Sequence, residues 1–145
     1  MILPDINLLL HAYNPHVPQH QASAKWWEAA MNGIELIGLP KEVTLGFVRI
    51  ATNPRLGAAA VSVDHARQVV ETWLALPNVR VLVPPADHFA KVLALVHQAM
   101  GSGPLISDAV LASYAIENRT VLYTNDADFS RSPVLNWQNP RLPAP

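Results

Sequence analysis

Cysteine is absent from the 145-residue chain, which excludes disulfide frameworks and thiolate metal sites and fits a reducing compartment. Charge is sparse as well. Charged residues make up 14% of the chain and hydrophobic ones 50%, the opposite of the composition that keeps a chain disordered. A basic excess is also missing: 10 basic residues face 11 acidic ones, for a formal net charge of −1. A whole-surface footprint for coating nucleic acid is therefore lacking, and any nucleic-acid chemistry must be concentrated in one place. No uncharged apolar run approaches the roughly 18 residues of a membrane-spanning helix. The opening MILPDINLLLHAYN has no basic region and is interrupted by Pro4 and Asp5, unlike a signal peptide. There is no internal repeat, no G-x-G-x-x-G after any strand and no P-loop; Gly101-Ser102-Gly103-Pro104 reads as a flexible connection. What remains is one cytoplasmic domain over residues 1–142 with a short tail, 143–145, long enough to bury a core without staples.

The apolar pattern alternates short runs with amphipathic stretches. Residues 2–7 predict a buried strand, and residues 8–13 the start of a helix. A helix over 19–31 carries Ala22, Trp26, Ala29 and Ala30 on one face. Residues 35–39 form a second strand stopped by Pro40, and a helix follows over 41–52 with the proline near its first turn. The helix over 64–76 has Ala66, Val69, Val70, Trp73 and Leu74 as its stripe. Residues 79–83 are a third buried strand. Helices over 87–100, through Phe89, Val92, Leu93, Val96 and Met100, and over 107–118, through Ala109, Ala112, Ala115 and Ile116, come next. A fourth strand spans 120–124 and a short last one 135–137. Such alternation predicts an α/β fold: a doubly wound, mostly parallel sheet flanked by helices on both faces.

In such a sheet, sites form beyond the carboxyl ends of the strands, and the acids fall there. Asp5 closes the first strand, Glu42 opens the helix after the second, and Asp126 follows the fourth. Asp108 shares the helical register of Ala112 and Ala115 and points along a buried face. Carboxylates gathered within about 4–6 Å raise one another's pKa. A hard divalent cation relieves that conflict, and oxygen ligands with retained waters suit Mg²⁺ or Mn²⁺. The chemistry implied is metal-assisted phosphodiester hydrolysis. Each acid also has a plainer reading. Asp5 and Asp128 suit turn caps, and Asp108 and Glu42 suit the positive end of a helix dipole.

The neighbours divide in the same way. Asn7, two residues after Asp5, shares its side of an extended strand and orients a ligand, or else caps the next helix. Thr124 is placed to hydrogen-bond the carboxylate of Asp126, or is an ordinary β-branched strand residue. Arg49 lies seven residues after Glu42 on the same helix face, about 10.5 Å along the axis. It clamps a phosphate, or is a solvated surface residue. Lys41, Arg55 and Arg131 extend a thin basic rim. The six histidines form no H-E-x-x-H, and Pro15 and Pro18 break the helix that His16 and His20 would need. Trp26, Trp27 and Trp73 read as core or interface anchors rather than stacking platforms.

These residues resemble a family. Asp5-Ile6-Asn7 fits the D-x-N opening of PIN-domain ribonucleases, and Thr124-Asn125-Asp126-Ala127-Asp128-Phe129 fits their T-x-D-x-D-F segment. Leu39-Pro40-Lys41-Glu42, Gly46-Phe47-Val48-Arg49-Ile50 and Thr52-Asn53-Pro54-Arg55 are similar to the second-acid helix of VapC toxins from bacterial toxin–antitoxin pairs. Ser107-Asp108-Ala109 matches their third acid, and Leu135-Asn136-Trp137-Gln138-Asn139-Pro140 their closing segment. The resemblance implies an Mg²⁺-dependent endoribonuclease with RNA as substrate, a homodimer, and a VapB-type antitoxin partner. It makes Asp5, Glu42, Asp108 and Asp126 the metal-binding acids and Asp128 a fifth, with Asn7, Thr124 and Arg49 in support. One departure is Ala127, where relatives commonly carry a basic residue, so an RNA contact made there is missing. The alternative is an inactive domain of this fold that only binds a partner. An aspartyl-phosphate phosphatase wants a second acid where Asn7 stands, which disfavours it.

Overall fold

The computed structural model describes residues 1–99, 101, 105–131 and 134–140, without the side chain of residue 131. The tail over 141–145, the connection over 102–104, Met100 and the Arg131 side chain named above lie outside these. Five short strands form a single sheet: β1 (Ile2–Pro4), β2 (Ile37–Pro40), β3 (Val79–Leu82), β4 (Val121–Tyr123) and β5 (Trp137–Gln138). The order is β3-β2-β1-β4-β5 and every pairing is parallel. The helices α1 (Ile6–Tyr13) and α2 (His20–Asn32) link β1 to β2. α3 (Lys41–Ala51) and α4 (Val63–Leu74) link β2 to β3, and α5 (His88–Gln98) and α6 (Ile106–Glu117) link β3 to β4. Right-handed crossovers put the first two pairs on one face and, because the chain then reverses direction across the sheet, the third pair on the other. The contacts agree: α1 packs on α2 and α3, and α3 on α4, while α5 packs on α6.

An aromatic cluster holds the first layer. Trp73 of α4 meets Phe47 of α3 at 4.8 Å between ring centroids and Trp27 of α2 at 5.5 Å, both edge-on. The Trp73 indole donates to the Tyr13 hydroxyl at 2.8 Å, which satisfies its buried N–H. Gly46 lets α3 approach α1 closely, since a Cβ there would meet Ile6 Cδ1 at 2.6 Å.

Several expectations are corrected. The first strand stops at Pro4 and the chain enters α1 at once, so Asn7 is helical rather than extended. On α2 the buried residues are Ser23 and Trp27, with Ala22 and Ala29 exposed. Burial follows the indole that reaches Trp73, and the polar Ser23 hid that face from the apolar pattern. Trp26 is half-buried and stacks on Tyr123 at 5.1 Å. β3 is an edge strand whose middle residues, Arg80 and Val81, are exposed. On α5, Phe89 is 76% exposed and only Val92 is buried, because this helix packs mainly on one neighbour and needs a narrow stripe.

Candidate active site

The chain leaves β1 toward β2 and leaves β4 toward β5, so the connections from these neighbouring strands diverge and open a crevice at their carboxyl ends. Asp5 follows β1 directly and stands at the N-cap position of α1. Thr124 follows β4 directly. Because Pro4 pairs with Tyr123, Asp5 and Thr124 are neighbours, and the Asp5 amide donates to the Tyr123 carbonyl at 2.8 Å. The buried Thr124 hydroxyl donates to Asp5 Oδ2 at 2.8 Å and accepts from the Asp126 amide at 3.0 Å. Asp126 Oδ1 in turn accepts from the Asp128 amide at 2.8 Å. Thr124 was expected to serve the carboxylate of Asp126. It serves that of Asp5 instead and uses only the backbone of Asp126, since the parallel register sets its side chain beside β1.

Asp5 is 5% exposed, and burial pushes its pKa up. The Thr124 hydroxyl and the amides of Asn7 and Ile6 oppose that rise, while the charge of Asp126 adds to it. Asp108, half-buried in the first turn of α6, is pushed up to about 6, first by burial and then by the charges of Asp5, Asp126 and Asp128. Four carboxyls thus share one neighbourhood at a cost to the ionised state.

Glu42 stands in the exposed first turn of α3. A cleft of about 400 Å³ is lined by Asp5, Asn7, Glu42, Arg49 and Asp108 among others, though not by Asp126 or Asp128. Asn7 is exposed on the first turn of α1 and so reaches the cleft from a helix, not along a strand. Of Lys41, Arg49 and Arg55, only Arg49 lines the cleft. It is exposed and forms no ion pair among the described residues. Its fixed cationic fork therefore faces a cleft rimmed by acids without being consumed by them.

Among the described residues, no three acids converge closely enough to grip an ion as they stand. The donor set nonetheless fits a hard divalent cation. It is all oxygen, it gathers negative charge, and the raised pKa of Asp108 marks a repulsion that a cation relieves.

Two neighbours of the site escaped the sequence reading. Asn125 Nδ2 stands 3.2 Å from His11 Nδ1, which joins α1 to the loop carrying Asp126; only the spacing of Asn7 and His11 by one helical turn hints at it. Tyr114 is fully buried on α6, and its hydroxyl has no hydrogen-bond partner among the described residues. Burial first, and then the nearby carboxylate of Glu42, push its pKa up. On α6 the residues from Leu111 to Ala115 are all buried, so no apolar stripe reveals which way Tyr114 points.

Comparison with known proteins gives concordant results. A family model described as the PIN domain matches residues 2–135. Ribonuclease VapC33 of Mycobacterium tuberculosis is 39% identical over 140 residues, covering 97% of this chain and 98% of the relative. Ribonuclease VapC37 of the same organism is 35% identical over 141 residues, covering 97% of each. Among solved structures, the sarcin–ricin loop cleaving toxin VapC20 of M. tuberculosis superposes with a TM-score of 0.69 at 15% identity, over 90% of this chain and 93% of that one. VapBC2 from Rickettsia felis, bound to a promoter DNA fragment, superposes with a TM-score of 0.67 at 18% identity, over 96% and 98%.

Proposed function

The chain belongs to the PIN-domain family and, within it, to the VapC ribonucleases, and from this we infer that it is the endoribonuclease toxin of a toxin–antitoxin pair. Its substrate is RNA, its cofactor Mg²⁺ or Mn²⁺, and its place of action the cytoplasm; among the described residues no helix is long and apolar enough to cross a membrane. The observation that carries the reading is the set of mutually repelling carboxyls at the reversal of strand order, with Asp5 fastened to Thr124.

Asp5, Glu42, Asp108 and Asp126 hold the ion, with Asp128 within reach of the same charge. Bound there, a divalent cation supplies Lewis acidity at the scissile phosphate and activates water at neutral pH. Thr124 fixes Asp5 in one orientation before any ligand arrives, so no rotamer has to be frozen at binding. Arg49 draws the RNA backbone into the cleft and offers its donors to a phosphate oxygen. Asn7 supplies an amide between the Asp5 and Glu42 sides. No nucleophilic side chain is required.

The antitoxin partner belongs to the same reading. An apolar groove of about 220 Å³, lined by Leu10, Val17, Leu56, Val61 and Val69 among others, shares Asn7 and Ile50 with the cleft. An amphipathic helix laid there would abut the acids. A homodimer completes the assembly.

The test is cleavage of a pooled tRNA and ribosomal RNA substrate by the partner-free protein, with Mg²⁺, with Mn²⁺ and with EDTA. Discrete, metal-dependent cuts that disappear in Asp126→Asn are expected. Absence of cutting in every metal, with no metal bound by calorimetry, refutes the assignment and leaves a protein-binding module of this fold.

A further inference from the structure

Glu42 stands apart from the other acids. It is exposed at the start of α3, whereas Asp5 is buried and Asp108 half-buried in the same cleft, and the charges acting on Asp108 are those of Asp5, Asp126 and Asp128. Among the described residues its own helix does not restrain it: α3 has no side-chain cap, and the side-chain bond of its first turn runs from Thr44 to the Lys41 carbonyl. A carboxylate that must join a ligand set needs a donor to hold its arm, as Thr124 holds Asp5.

The Tyr114 hydroxyl is such a donor: it lies beside the Glu42 carboxylate, within its electrostatic reach but outside ordinary hydrogen-bond geometry. The residue is 0% exposed, so water cannot reach it, and its oxygen has no partner of hydrogen-bond geometry. Glu42 is the carboxylate it neighbours. The ring is fixed from behind. His88 of α5 lies against it with ring centroids 4.5 Å apart, and His88 Nδ1 is itself 3.0 Å from Glu117 Oε2. Ser113 Oγ donates to Glu117 Oε1 at 3.2 Å, and Lys91 Nζ stands 3.7 Å from the same oxygen. This knot between the start of α5 and the end of α6 leaves the phenol little freedom beyond rotation of its O–H bond.

We propose that Tyr114 is a positioning residue for Glu42, its hydroxyl donating to the Glu42 carboxylate when that side chain turns inward to complete the acid set. The inference rests on the metal-site reading above and deepens it. It accounts together for a buried hydroxyl without a partner and an acid that stands outside the cluster. It also makes completion of the site a small rotation of one surface side chain onto a fixed donor rather than a movement of helices. A phenol is protonated, and therefore a donor, at neutral pH.

The experiment is Mn²⁺ binding by calorimetry, without RNA, on the full chain and on Tyr114→Phe, Glu42→Gln and the double variant, with metal-free melting temperatures alongside. Tyr114→Phe keeps the ring against His88 and removes a hydroxyl that nothing satisfies. It should therefore melt no lower than the wild type in EDTA, yet bind Mn²⁺ about tenfold more weakly. The double variant should bind no more weakly than Glu42→Gln alone. The proposal is overturned if Tyr114→Phe binds Mn²⁺ like the wild type while Glu42→Gln is weakened. It is overturned equally if the two losses add, or if Tyr114→Phe destabilises the metal-free protein, which would make the hydroxyl a structural group. A wild type that binds no Mn²⁺, or a Glu42→Gln variant that binds it unchanged, overturns the metal-site reading itself and this inference with it.

Discussion

Replacing Asp108 by Asn should stabilise the metal-free protein at neutral pH and have almost no effect in acid. The Asp108 carboxyl moves from an ordinary value of 3.8 to about 6 on folding. A carboxyl whose pKa rises on folding holds its proton more tightly in the native state, so native stability is fully retained below the ordinary value. It is lost as pH climbs through about 6. The full difference corresponds to about 3 kcal/mol. Asp108 is only half-buried, however, and solvent screening reduces the expected effect to about 1 kcal/mol. The assay is urea unfolding of wild type and Asp108→Asn in EDTA, at pH 4 and at pH 8. The two should nearly coincide at pH 4, where the native Asp108 is neutral and similar in shape to Asn. At pH 8 the variant should be the more stable by about that 1 kcal/mol. Adding Mn²⁺ at pH 8 should reverse the order, since only the wild type keeps the full ligand charge. A variant less stable than wild type at both pH values, or a difference that ignores pH, would refute the view that Asp108 is held at a cost by its acidic neighbours.

Other substitutions probe other parts of the argument. Thr124→Val keeps the shape of a fully buried side chain but strips the donor from Asp5 and the acceptor from the Asp126 amide, and should cost about 1–3 kcal/mol in urea unfolding. A loss below a few tenths would show that the bridge between β1 and β4 contributes little. Trp73→Ala should cost about 3–5 kcal/mol, while Trp26→Ala, on a half-buried ring, should cost distinctly less. Equal costs would contradict the aromatic core described here. Arg49→Ala should leave the melting temperature unchanged, weaken RNA binding and lower the salt slope of binding by about one; an unchanged slope would remove Arg49 from the RNA path.

The order of elements and the positions of the acids were legible because they rest on short-range rules. Strands bounded by proline, such as residues 79–82 between Pro77 and Pro84, are readable from local composition, and so is an acid just after a strand. Partnership across the sheet was not. Thr124 sits two residues from Asp126, so sequence proximity pointed there, but parallel register set its hydroxyl beside Asp5. The turned face of α2 was missed because a serine sits on its buried side, and the exposure of Phe89 because α5 packs mainly on one helix. Tyr114 was silent for the converse reason: where nearly every position of a helix is buried, periodicity carries no direction.

The bond from Thr124 to Asp5 joins residues 119 positions apart. β1 is the middle of the sheet yet the first strand made, while β4, its partner, comes almost last. A growing chain therefore carries Asp5 and Glu42 long before it carries the hydroxyl and the carboxylate that close the cluster. Until residues 121–126 have emerged from the ribosome, β1 has an open edge and its acid has no donor. For an enzyme that cuts RNA this has a clear consequence. The acid set is completed in one late docking event, when β4 closes against β1, so any cutting of RNA waits on that long-range pairing.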